Sequence, residues 1–106
     1  MNSDIRLFYV TCPNKELAQK MARVLLEEGL IACANILPEM ESLYWWEGKI
    51  DSAKECVLIL KSTVMQSERV IARVESLHSY NTPCILSLNV EQGSAAYVRW
   101  LKGSLF

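Results

Sequence analysis

The chain has 106 residues, of which 51% are hydrophobic and 22% charged, with a formal net charge of −1. That length makes a single domain over residues 1–106 with enough apolar side chains for a core. The charge excludes a nucleic-acid partner or an anionic membrane surface, each of which selects a basic face.

No run approaches the roughly 18 apolar residues of a membrane span. Met1-Asn2-Ser3-Asp4 has no basic segment leading into an apolar run, so no secretory leader is expected and a cytosolic location is. Ile5 to Val10 reads as a first strand, nearly continuously apolar and so expected to be covered on both faces. Pro13-Asn14 breaks it, and Asn14 is placed to cap a helix whose apolar positions are Leu17, Met21, Val24 and Leu25. Gly29 stands where that helix would end.

Ile31 to Leu37 is a second apolar strand, ending at Pro38. Hairpin arms follow between Ser42 and Ser62, with a polar break at Glu47-Gly48-Lys49 where the glycine suits a positive φ. Adjacent strand residues point to opposite faces, so Trp45 and Trp46 cannot share one core, and one of them meets another subunit or lines a pocket. A second helix starts near Thr63 or Ser67 and runs to Leu77, with Val70, Ile71, Val74 and Leu77 on one side. Ser79 to Pro83 forms a loop, Ile85 to Val90 a last strand, and Ala95 to Lys102 a short C-terminal helix. The order predicts an α+β fold of the ferredoxin-like βαββαβ kind, an antiparallel sheet with helices on one face, a long central hairpin and a short terminal helix.

The four cysteines, Cys12, Cys33, Cys56 and Cys84, make no Cys-x-x-Cys pair. Their spacing fits buried thiols of a reducing compartment better than a structural zinc site. With one histidine, His78, no Ser-His-Asp set can be drawn. The segment Thr11 to Lys15 lacks the glycines of a phosphate cradle, which argues against an acyl-phosphate hydrolase on this layout.

Several segments together resemble the CutA family, the divalent-cation tolerance proteins. They are Thr11-Cys12-Pro13, Leu30 to Pro38, Ser42-Leu43-Tyr44-Trp45-Trp46-Glu47-Gly48-Lys49, Leu60-Lys61-Ser62-Thr63, His78 to Pro83, and Tyr97-Val98-Arg99-Trp100-Leu101. The resemblance implies a ferredoxin-like fold, a homotrimer assembled through the long hairpin, an architecture like that of PII signalling proteins, and a link to copper and other divalent cations. The family's proposed ligands are a strand cysteine and two consecutive histidines. Here the first falls on Val10 and the second on Leu77, and only His78 is kept.

The candidate metal set is therefore His78 with the soft thiols of Cys12 and Cys84. The other reading of His78 is a cation at a helix end. Trp46, Glu55, Lys61 and Tyr80 match recurring positions and form a candidate ligand pocket at a subunit boundary. Lys61 ends an apolar strand and would need a carboxylate or an anionic ligand if buried. Glu55 and Lys61 share a strand face but lie roughly 20 Å apart, so they meet only across chains, with Glu47 as an alternative partner. The function expected is a non-enzymatic homotrimer with no required cofactor, binding copper or another divalent or soft ion and linked to metal tolerance. The alternative is a PII-like signalling or scaffold trimer that binds a small ligand or partner protein between subunits.

Overall fold

The computed structural model describes residues 4–106; the leader reading rests largely on Met1 to Ser3, which lie outside them. The elements run β1 (Ile5–Cys12), α1 (Lys15–Glu27), β2 (Cys33–Trp46), β3 (Lys49–Thr63), a 3-10 turn (Val64–Gln66), α2 (Ser67–Leu77), β4 (Ile85–Asn89) and α3 (Ala95–Gly103). The four strands form one antiparallel sheet in the order β2-β3-β1-β4, which is the ferredoxin-like arrangement expected.

Asn14 does cap α1: its Oδ1 accepts the Leu17 N–H at 2.8 Å. Ala18, Met21, Ala22 and Leu25 are the buried stripe of that helix. The helix ends with Gly29 at φ 72°, where the Leu30 N–H reaches the Leu25 carbonyl and the Gly29 N–H the Leu26 carbonyl, both at 3.0 Å. Any side chain at Gly29 would also meet the Phe106 ring, 2.6 Å from where a Cβ would stand. Val70 and Val74 of α2 are buried, and Ile71 and Leu77 pack against the same core. Neither Thr63 nor Ser67 caps α2 with its side chain; the 3-10 turn leads into it instead.

Strand parity decides which residues can form a site. Phe8, Val10 and Cys12 of β1, with Cys56, Leu58 and Leu60 of β3, face α1 and α2 and make the core. Leu7, Tyr9 and Thr11, paired with Lys61, Ile59 and Val57, face the other way. β1 is thus sealed on one face only within the chain, not on both. The apolar alternation in β4 belongs to that same open face, where Leu86 is 56% and Leu88 49% exposed.

Pro38 does not end β2. The register moves three residues on β2, from Leu37 to Met40, against two on β3, from Val57 to Glu55. Pro38 and Glu39 together oppose Cys56 in a β-bulge, the place in a sheet where a residue without an N–H is tolerated. The bulge inverts the parity of everything beyond it. Cys33, Asn35 and Leu37 face the open side before it; Met40, Ser42, Tyr44 and Trp46 do so after it. The Tyr9 hydroxyl, on the open face, lies 3.6 Å from the Met40 sulfur. The hairpin closes through Glu47 and Gly48, at φ 50° and 77°, so both central residues, not the glycine alone, are left-handed.

Candidate functional site

A cleft of about 670 Å³ opens on this face, between the base of the β2-β3 hairpin and the loop that follows α2. Tyr44, Trp46, Asp51 and Glu55 line its hairpin side, and Tyr80 and Cys84 its loop side. Parity brings the hairpin residues together: Tyr44 pairs with Asp51 across the strands, and Glu55 lies four residues beyond Asp51 on the same face.

The loop side is held by His78. Its Nδ1 accepts the Tyr80 backbone N–H at 3.1 Å, and its Nε2 lies 2.8 Å from the Thr11 carbonyl. An N–H can only donate and a carbonyl can only accept, so the geometry fits the Nε2–H tautomer, with both ring nitrogens engaged. The His78 and Tyr80 rings pack with centroids 4.8 Å apart. The histidine is the C-cap residue of α2, its backbone N–H donating to the Val74 carbonyl at 2.9 Å, while its side chain ties the end of α2 to β1 and aims Tyr80. The Tyr80 hydroxyl then donates to Glu55 Oε2 at 2.9 Å. Burial raises the Tyr80 phenol above its ordinary value, and the Glu55 carboxylate raises it further, so it stays a donor.

Of the four candidate pocket residues, the structure joins Trp46, Glu55 and Tyr80 in one chain and leaves Lys61 out. Lys61 lies towards the other end of β3, where its Nζ donates to the Tyr97 hydroxyl at 3.2 Å and sits 5.3 Å from that ring's centre. Tyr97, Tyr44 and Asp51 were not singled out from the sequence. The parity beyond the bulge would have found the last two. Nothing local in the sequence brings α3 to Lys61.

The candidate metal residues are not gathered in one chain. Cys12 is wholly buried on the helix-facing side, directly across from Cys56. Burial pushes its thiol up to about 12, and the neighbouring Cys56 adds to the shift, which keeps it from the thiolate form a metal needs. The Cys56 thiol in turn donates to the Asn14 carbonyl at 3.3 Å. Cys84 faces the cleft, and His78 has both nitrogens occupied. Among the described residues no three His, Cys, Asp or Glu side chains come close enough to hold an ion. Val10 and Leu77, at the family's other proposed ligand positions, are core residues. This donor set does not fit a metal ion within one chain.

Residues 6–104 match the family described as CutA1 divalent ion tolerance protein. The chain belongs to that family. A Salmonella newport divalent-cation tolerance protein CutA is 43% identical over 95 residues, covering 90% of this chain and 83% of its own. The rice protein named CutA 1, chloroplastic, is 40% identical over 96 residues, 91% of this chain, and the chain spans only 54% of that longer relative. A solved structure described as the periplasmic divalent cation tolerance protein CutA from Archaeoglobus fulgidus superposes with a TM-score of 0.91 at 37% identity, covering 94% of this chain and 97% of that one. The ferredoxin-like CutA fold is therefore the fold of this chain. Among the described residues no helix is long and apolar enough to cross a membrane.

Proposed function

We propose that this CutA-family chain works as a non-catalytic homotrimer whose ligand site is the Trp46-Glu55-Tyr80 cleft, placed at the boundary between subunits. The observation that carries this is the hairpin. It bears apolar side chains on both faces, with Leu43, Trp45 and Ile50 on one and Tyr44 and Trp46 on the other, and Trp45 is 74% and Trp46 59% exposed. An isolated chain would leave that surface and the open sheet face in water, and closed threefold symmetry covers both. A divalent ion such as copper, if held, then requires donors from more than one chain, because among the described residues no three His, Cys, Asp or Glu side chains of one chain come close enough to hold it. Four unpaired thiols suit a cytosolic setting, although relatives named for the chloroplast and the periplasm show that the family is not confined to one compartment. Sedimentation velocity at micromolar concentration tests the assembly. A trimer is expected, and a monomer refutes the proposal.

A further inference from the structure

We propose that Cys12 and Cys56 form a conditional disulfide, closed or left open by the redox conditions in which the chain folds and then held in that state by the fold. The two residues are direct partners in the β1-β3 register, and both side chains point to the helix side, where each is fully buried. Directly opposed residues of an antiparallel pair have Cα atoms between about 4.5 and 5.5 Å apart, inside the window of about 4.4–6.8 Å that a disulfide spans. The pair is the last of that ladder, immediately before Pro13, so the strand end has room to adjust. The other two cysteines are placed differently: Cys33 pairs with Lys61 and Cys84 borders the cleft, both on the opposite side of the sheet.

The native fold accepts both states. Closing the bond removes the Cys56 S–H that donates to the Asn14 carbonyl at 3.3 Å, but that carbonyl keeps the Ala18 N–H at 3.3 Å. Left open, two buried thiols behave as small apolar groups of the core. Passage between the states is what the fold blocks. Exchange needs a thiolate and a path for the attacking sulfur, and burial denies both. That burial comes from the chain's own sheet and helices, so a neighbouring subunit adds to it and cannot reopen it. During folding both sulfurs are accessible. One cysteine thiolate attacks a small-molecule disulfide such as oxidised glutathione, forming a mixed disulfide and releasing one glutathione. The second cysteine thiolate attacks the protein sulfur of that bond, which closes the disulfide between Cys12 and Cys56 and releases the second glutathione. Two electrons pass from the cysteines to the glutathione disulfide, and the two thiol protons end on the released glutathiones. The loop closed between these positions is long, so the bond also restrains the unfolded chain.

The test refolds the reduced, denatured full chain with either reduced or oxidised glutathione, then moves each folded sample to the other buffer. Samples are quenched with acid, alkylated in denaturant and mapped as non-reduced peptides by mass spectrometry. Folding with oxidised glutathione should link Cys12 to Cys56 in most chains, and folding with reduced glutathione in none. After transfer, each state should persist at least about a hundredfold longer in native buffer than in urea. The variant with Cys33→Ser and Cys84→Ser retains only this pair, and its linked form should melt at least about 5 °C above its open form. If the chain folded with oxidised glutathione lacks the link, pairs Cys12 or Cys56 with Cys33 or Cys84, keeps glutathione attached or fails to fold, the inference falls. It falls equally if the linked form melts no higher than the open one, or if the native protein changes state as fast as the denatured chain.

Discussion

Replacing His78 with alanine separates a structural clamp from a metal ligand. The imidazole links three segments, accepting from the Tyr80 N–H at 3.1 Å and reaching the Thr11 carbonyl at 2.8 Å. Alanine removes both hydrogen bonds at once. Each is worth about 1 kcal/mol net, so the loss is about 2 kcal/mol per chain. For a chain of this size that corresponds to a fall in melting temperature on the order of 10 °C. The Tyr80 backbone loses its anchor, and the hydroxyl bond to Glu55 becomes less populated. Cu(II) affinity should change by less than about twofold, because neither nitrogen is open to an ion. Differential scanning calorimetry and Cu(II) titration of the wild type and His78→Ala read the two effects separately. An unchanged melting temperature together with a large loss of Cu(II) binding would refute the clamp and restore His78 as a ligand.

In the assembled protein the melting temperature should rise with protein concentration, and both Trp45→Ala and Trp46→Ala should lower it, since truncating a buried tryptophan costs about 3–5 kcal/mol; no effect from either on melting or sedimentation would show that both rings stay in water. A thiol reagent should reach Cys12 and Cys56 only in denaturant, because both are wholly buried within one chain. The Cys12 thiol is raised above its ordinary 9.0, so its contribution to stability is complete below pH 9 and declines as pH rises towards about 12; Cys12→Ala should flatten that alkaline decline in urea midpoints, and an identical decline would refute the assignment. At the acid end, Arg73 holds the exposed Glu28 carboxylate below its usual range through a 2.8 Å ion pair. Its small stabilisation is present above the ordinary carboxylate value and lost as pH falls through the lowered one, so any urea-midpoint gap between wild type and Arg73→Gln should close towards pH 3.

Local signals were readable where one residue type answers one backbone demand. Asn14 and Gly29 bracket α1 because a side-chain acceptor and a left-handed residue are needed at its two ends. The stripe Val70, Val74 and Leu77 likewise reveals which side of α2 packs inward. The opposed faces of Trp45 and Trp46 follow from strand geometry, and Trp46 is the one that lines the cleft. What stayed hidden depends on contacts far apart in sequence. Pro38 reads as a strand end because it lacks an N–H, and only the partner strand reveals that a bulge absorbs it. The burial of Cys12 was readable, but not its neighbour: only the β1-β3 register sets it against Cys56 in the core. Within one chain Lys61 meets Tyr97 of α3, a contact that nothing local in the sequence announces. The alternation of Leu86 and Leu88 with Ser87 and Asn89 marks an apolar face of β4 without saying what covers it, and within one chain both leucines are about half exposed.

The bulge at Pro38-Glu39 makes the aim of the hairpin a matter of counting. Because strand side chains alternate with a period of two, loss of one residue there would exchange the two faces of the distal β2 arm in a single step. Tyr44 and Trp46 would turn away from the cleft and Trp45 would turn towards it, with no change in any of those three side chains. The wall opposite Tyr80 would then lose the Tyr44 and Trp46 rings and gain a tryptophan set one position away. A length change of one residue between Leu37 and Met40 is thus a larger alteration of this surface than most substitutions within it. Chains of this family that differ in length at that point should be expected to present different ligand walls on the same fold.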